Sequence, residues 1–124
     1  MSTPSTLPLN TAGLLALRCG HATEALSAAS AAALLPLVPG WTLEDGKLCR
    51  NFGFRDYHQT MAFVNALAWV SHTEDHHPEL LVTYKNCVVR YDTHSVSGLS
   101  INDFICAAHA HALHALSSAA AVAP

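Results

Sequence analysis

The stretch WTLEDGKLCRNFGFRDYHQTMAFVNALAWVSHT, residues 41–73, contains two periodicities, and the switch between them decides the fold class. In its first part Asp45-Gly46 is a pair that tolerates the positive backbone angles of a two-residue turn, so residues 41–54 read as a β-hairpin. Leu48, Phe52 and Phe54 alternate there with polar positions. Asp56, followed three residues on by Gln59, then resembles a capping box. Beyond it Phe63, Leu67 and Val70, flanked by Met61 and Val64, recur at helical spacing, which predicts the main helix over about residues 56–73.

Working outward, residues 80–84 and 87–94 read as a second strand pair joined by Lys85-Asn86. Cys87, Val89, Tyr91 and Thr93 share one face of its second strand, while Val88, Arg90, Asp92 and His94 share the other. Ser100 and Asp103 again have the spacing of a helix cap, ahead of an alanine- and histidine-rich helix over residues 104–116. Upstream, Ser27 can cap a short helix that carries Leu26, Leu34, Leu35 and Leu37 toward a core and stops near Pro36, with Pro39-Gly40 as the break. The order helix, hairpin, helix, hairpin, helix predicts an α+β domain, a four-stranded antiparallel sheet with three helices packed on one face. That domain is expected over residues 26–116. Residues 1–25, rich in small and polar side chains without sustained periodicity, read as an N-terminal extension, and residues 117–124 as a short tail that frays.

Composition narrows the function classes. The chain has 124 residues, 51% of them hydrophobic and 12% charged, which excludes disorder for most of it and allows one core. Six Lys and Arg against nine Asp and Glu give a net charge of −3, without the basic excess that binding along nucleic acid requires. Apolar runs are interrupted well before about 18 residues, so no membrane span is expected. Residues 13–17 are apolar, but no positive segment precedes them and Arg18 follows, so a secretory signal is not expected either and the reading is cytoplasmic. Cys19, Cys49, Cys87 and Cys106 form no Cys-x-x-Cys pair and read as reduced, mostly buried thiols. Histidine is the unusual component: nine residues, more than Lys and Arg together. Its side chain titrates near neutral pH, so proton transfer is the first chemistry to consider.

The candidate chemistry concentrates in His72-Thr73-Glu74-Asp75-His76-His77-Pro78-Glu79 and in Asp92-Thr93-His94. Were the helix to continue, His72 and His76 would stack on one face, with His77 turned away and forced out of helical geometry by Pro78. Two imidazoles at a helix end and a third at a strand end could converge on one pocket. The string Asp75-His76-His77-Pro78-Glu79, then Tyr84, Thr93-His94, Gly98-Leu99-Ser100 and Asp103, resembles the pterin-4a-carbinolamine dehydratase family. The resemblance runs over about residues 26–116, including Gly40-Trp41 and the Phe52-Gly53-Phe54-x-Asp56-Tyr57 approach to the main helix.

That resemblance implies dehydration of 4a-hydroxytetrahydrobiopterin to quinonoid dihydropterin and water, recycling tetrahydropterin for aromatic amino acid hydroxylases, with no metal and no bound cofactor. It implies a homodimer or homotetramer with a small-molecule pterin as substrate. It also places His76, His77 and His94 in the catalytic positions, with His77 and His94 moving protons and His76 gripping the pterin and its leaving hydroxyl. His72, Asp75, Pro78, Glu79, Tyr84, Thr93 and Asp103 are the supporting positions. At His72 the family commonly has a carboxylate, which would stabilise a protonated imidazole beside it as a second imidazole does not. The departure bears on rate or pH optimum, and Asp75 could partly substitute as charge partner. Asp103 has two compatible readings, helix cap and orienter of His94. Tyr84 reads equally as a strand aromatic packed across the hairpin or as a substrate contact.

Two other function classes are compatible with parts of the sequence. One is a non-enzymatic dimerisation or assembly partner on the same fold, against which the retention of all three histidines argues. The other is a metal module built on His109, His111 and His114 near Cys106. No His-x-x-x-His spacing and no nearby carboxylate supports it, so these residues read as a solvent-facing or interface row. The alanines at 107, 108, 112 and 115 allow close approach, and association is expected through the last helix or a sheet edge.

Overall fold

The computed structural model describes residues 7–122. Strands β1 (Thr42–Glu44), β2 (Lys47–Gly53), β3 (Glu79–Val82) and β4 (Asn86–Tyr91) form one antiparallel sheet in the order β1-β2-β4-β3. The helices are α1 (Thr11–Leu15), α2 (Ala28–Leu34), α3 (Tyr57–Glu74) and α4 (Ile101–Val122), with 3-10 turns at Leu35–Leu37 and His94–Val96. The α+β class and the antiparallel sheet with helices on one face are as expected, but the helices among the described residues number four, not three. The additional one, α1, lies in the stretch read as an extension. Asn10 caps it by accepting from the Gly13 N–H at 2.8 Å, and Leu14 is wholly buried in the core. Five residues are too few to display a helical period, which is why the sequence does not show it. None of the helices among the described residues is long and apolar enough to cross a membrane.

Local signals set most element boundaries. Asp45 and Gly46 both take positive φ, 52° and 76°, and close the first hairpin. Asp56 Oδ1 accepts from the Gln59 N–H while Gln59 Oε1 accepts from the Arg55 N–H, fixing the start of α3. The second hairpin differs from expectation by one residue: its turn is Tyr84-Lys85, because Val82 pairs with Cys87 and the Thr83 N–H donates to the Asn86 carbonyl at 2.8 Å. Asn86 is drawn into the ladder opposite Gly53, and its side-chain amide donates to Asn51 Oδ1. The second strand also ends at Tyr91, so His94 begins a 3-10 turn and is not a strand residue. α4 continues through 117–122, where the alanines at 119, 120 and 121 have high intrinsic helix propensity.

On the core face of the sheet Leu48, Phe52, Cys87, Val89 and Tyr91 meet Phe63 and Leu67 of α3 and Phe104, Ala107 and Ala108 of α4. Fully burying one such large side chain contributes about 1.5–3 kcal/mol. Ala107 and Ala108, together with Ala110, are spent inside this core, which removes two of the four alanines of the row that suggested an association surface, while Ala115 stays exposed.

Two of the α4 histidines, His111 and His114, are engaged with the sheet and do not belong to a solvent-facing row. His114 Nε2 donates to the Gly53 carbonyl at 2.9 Å, with its ring among Phe52, Phe54 and Phe63. His111 Nδ1 accepts from Arg50 Nη1 at 2.8 Å, since a guanidinium can only donate. That guanidinium lies over the Phe52 ring and donates to the Pro39 carbonyl. It also sits against Gly40, whose φ of 87° disfavours any side chain and where a Cβ would come to 3.0 Å from the guanidinium and make it shift. Burial, then the Arg50 charge and His114, hold the His111 imidazole below its ordinary pKa. The folded state therefore binds fewer protons here than the unfolded chain once pH falls through the unfolded value of about 6.5, and stability drops. Urea unfolding at about pH 7.5 and pH 5.5, either side of that value, should show a lower midpoint in acid, and His111→Gln, which can accept the same bond without titrating, should flatten the difference. An unchanged pH slope in that variant would assign the effect elsewhere.

Candidate active site

α3 ends by backbone geometry before the histidine pair is reached. Asp75 adopts the left-handed conformation, φ 51°, with its N–H on the His72 carbonyl and the His76 N–H on the Ser71 carbonyl. The helix therefore stops at Glu74, close to the end near residue 73 that its periodicity predicts, and does not continue far enough to stack His72 and His76 on one face. His72 is exposed with its ring near Trp69, and Asp75 is an exposed cap, so neither is the charge partner of the histidine pair.

That partner is Asp103. His76 Nε2 lies 2.6 Å from Asp103 Oδ1, and Asp103 is completely buried. A carboxylate oxygen accepts, so Nε2 carries the proton and Nδ1 is the nitrogen left to act. Asp103 Oδ2 accepts from the Ser100 N–H at 2.9 Å and from the Thr93 hydroxyl at 2.8 Å. Because Thr93 gives its only proton there, Ser100 Oγ donates to Thr93 at 2.7 Å and in turn accepts from the Asn102 N–H. Asp103 is thus the helix cap that its spacing from Ser100 suggested and an orienter as well, but the imidazole it orients is that of His76 and not His94. The His76 ring stacks on Tyr91 at 5.8 Å and 9°, with its side chain 12% exposed, so it is fixed on two sides.

A cavity of ≈350 Å³ opens beside this dyad, lined by His76, Glu74, Asp75, Thr93, Ser95 and Asn102 together with residues 19–22. His77 and His94 do not line it. Both are exposed, and each is the chain neighbour of residues that do, His76 for one and Thr93 and Ser95 for the other. Besides His72, three more of the supporting positions lie apart from the cavity. Pro78 is half-buried, Glu79 opens β3 and approaches Lys47 Nζ at 3.5 Å, and Tyr84, 62% exposed, stacks on Tyr57 at 6.2 Å. Tyr84 also offers its carbonyl to the Thr60 hydroxyl.

The sequence did not single out Glu74 or the N-terminal residues that meet it. Glu74 accepts from Arg18 Nε at 2.7 Å and from the Cys19 N–H at 2.8 Å, with its side chain 7% exposed. Burial alone would raise its carboxyl pKa, but the Cys19 N–H and the Arg18 guanidinium outweigh it and hold the group below the ordinary range. Asn102 and Gly20 exchange two hydrogen bonds, side-chain amide to carbonyl at 2.7 Å and backbone N–H to Oδ1 at 3.1 Å. No local spacing marks these contacts, since they join residues 55 and 82 positions apart.

The model of the pterin 4 alpha carbinolamine dehydratase family matches residues 24–113. A Stenotrophomonas maltophilia (strain K279a) protein with the provisional name pterin-4-alpha-carbinolamine dehydratase is 60% identical over 90 residues, covering 71% of this chain and 78% of that one. A Dechloromonas aromatica (strain RCB) protein of the same name is 53% identical over 90 residues, covering 73% and 80%. Among solved structures, a transcriptional coactivator/pterin dehydratase from Brucella melitensis superposes with a TM-score of 0.71 at 27% identity, covering 73% of this chain and 99% of that one. A pterin dehydratase-like protein identified as a RuBisCO assembly factor in the alpha-carboxysome superposes at 0.52, also 27% identical, covering 60% and 86%.

Proposed function

The chain belongs to the pterin-4a-carbinolamine dehydratase family, and from that premise we infer that it dehydrates 4a-hydroxytetrahydrobiopterin to quinonoid dihydropterin and water, acting as a hydro-lyase in tetrahydropterin recycling. The reaction removes a proton from N5 as the 4a hydroxyl leaves with a second one. It needs a base and an acid that both work near neutral pH, and such assistance is typically worth about 10²–10⁴-fold. His77 and His94 are the pair that moves protons, one accepting and the other donating. Their exposure and lack of side-chain hydrogen bonds among the described residues support this, because both ring nitrogens remain free to exchange with water between turnovers. His76 grips the pterin through Nδ1. The observation that carries the reading of the site is the Asp103–His76 bond, a buried carboxylate that fixes one tautomer beside a cavity.

The substrate occupies the cavity, whose lining includes the chain neighbours of His77 and His94. The aromatic amino acid hydroxylases are the enzymes whose cofactor this reaction returns, and the place of action is the cytoplasm. The protein works as a homo-oligomer joined through the outer edge of β3, where Leu80 and Leu81 are exposed and no strand pairs among the described residues. Light scattering at micromolar concentration checks this, and a monomer mass would refute it. The reaction itself is tested with 4a-hydroxytetrahydropterin generated in situ. Added protein should accelerate dehydration above the spontaneous rate. A rate equal to the spontaneous one would favour the non-enzymatic assembly partner.

A further inference from the structure

Cys19 and Cys106 are 87 positions apart in the chain, yet their Sγ atoms lie 3.6 Å from each other. Both are free thiols with different surroundings. Cys106 is wholly buried on α4. Cys19 is half-buried, lines the cavity that holds His76, and also approaches the Asn102 carbonyl at 3.7 Å. Its backbone is anchored independently of either sulfur, by the Cys19 N–H on Glu74 and the paired Gly20–Asn102 hydrogen bonds.

We propose that Cys19 and Cys106 are a modification site, a thiol pair that a hydroperoxide converts reversibly into an intramolecular disulfide, fastening residues 18–20 to α4 at the wall of the His76 cavity. The bond length is about 2.05 Å, so the sulfurs must close by about 1.5 Å. The hydrogen bond between them already holds them facing each other. Reagent arrives from the cavity at Cys19. The Cys19 sulfur attacks one peroxide oxygen, the O–O bond breaks, the first water (or alcohol) leaves and Cys19 becomes a sulfenic acid. Cys106 then attacks the Cys19 sulfur, the S–O bond breaks and a second water leaves. Two thiols lose two electrons and two protons, and the peroxide is reduced by the same two electrons. Excess small thiol reverses the reaction by exchange.

The order of events follows from the environments. Cys106 is wholly buried and does not line the cavity, whereas Cys19 does, so Cys106 serves as the resolving sulfur and Cys19 meets the peroxide first. Cys49 and Cys87 do not compete. They lie on opposite faces of the sheet and are buried, and burial pushes the Cys87 thiol up to about 11.

The test treats the folded protein with stoichiometric hydrogen peroxide, quenches with alkylating agent under denaturing conditions, and maps peptides without reduction. The expected result is an intact mass lower by two hydrogens and a single Cys19–Cys106 crosslinked peptide, with Cys49 and Cys87 still alkylated, all reversed by dithiothreitol. In Cys106→Ser the Cys19 sulfenic acid should persist and be trapped by dimedone. Amide hydrogen exchange at residues 18–22 supplies a second readout and should slow on oxidation of the parent but not of Cys19→Ser. Cys19 reaching sulfinic acid in the parent with no crosslink, four thiols remaining after treatment, or exchange at 18–22 unaffected by the crosslink would each overturn the proposal. It does not depend on the reaction assigned above.

Discussion

Exchanging Asp103 for asparagine is expected to lower kcat/KM by at least about tenfold while leaving the chain folded, because an imidazole set in the wrong tautomer loses its acceptor. Asp103 accepts from three donors with two oxygens, the His76 ring at one and the Ser100 N–H and Thr93 hydroxyl at the other. An amide has one oxygen. The Ser100 N–H cannot turn round, so the amide oxygen must stay with it and the NH₂ must face His76. Nε2 then becomes an acceptor and the ring proton moves to Nδ1, which can no longer receive a hydrogen bond from the pterin. The loss should fall mainly on KM if His76 grips, and ¹⁵N spectra of the histidine should report the changed tautomer. Asp103→Ala also strips the α4 cap and should cost about 2–4 kcal/mol. Asparagine with parental kcat/KM and an unprotonated Nδ1 would remove Asp103 from the site.

This dyad shows where sequence reading stops. Asp45-Gly46, Asp56 with Gln59, Ser27 and the alternation from Cys87 to Tyr91 were all legible, because each is a local constraint satisfied within a few residues. The cap role of Asp103 was legible for the same reason. Its partner was not: whether it reaches His76 or His94 depends on how the end of α3 is carried past the start of α4, and those residues are 27 apart. The Lys85-Asn86 turn failed similarly. Local propensity allowed it, but Asn86 gains a partner on β2 and Thr60 a carbonyl on Tyr84 only when the turn moves one residue back. The residues around Cys19 carry no periodicity at all, and their position is set entirely by Glu74, Asn102 and Cys106, which only the folded chain brings near.

His77→Ala and His94→Ala are expected to lower kcat by at least about tenfold each, and together by more, since each removes proton-transfer assistance worth about 10²–10⁴ when fully used. Stability should barely change: both side chains are exposed and bond no protein group among the described residues, so their removal opens no cavity and strands no partner. His76→Ala is the contrasting case. It leaves a buried carboxylate without its imidazole and the Tyr91 ring without its stacking partner, so it should lower stability as well as weaken binding. The pattern separates the roles: a kcat loss at constant melting temperature for the exposed pair, a KM rise with a lower melting temperature for the dyad. Rates for 4a-hydroxytetrahydropterin generated in situ, corrected for spontaneous dehydration across roughly pH 6 to 9, cover the range in which free imidazoles exchange protons. Parental kcat in both His77→Ala and His94→Ala would remove them from the chemistry and shift the proton transfer to the dyad and its cavity.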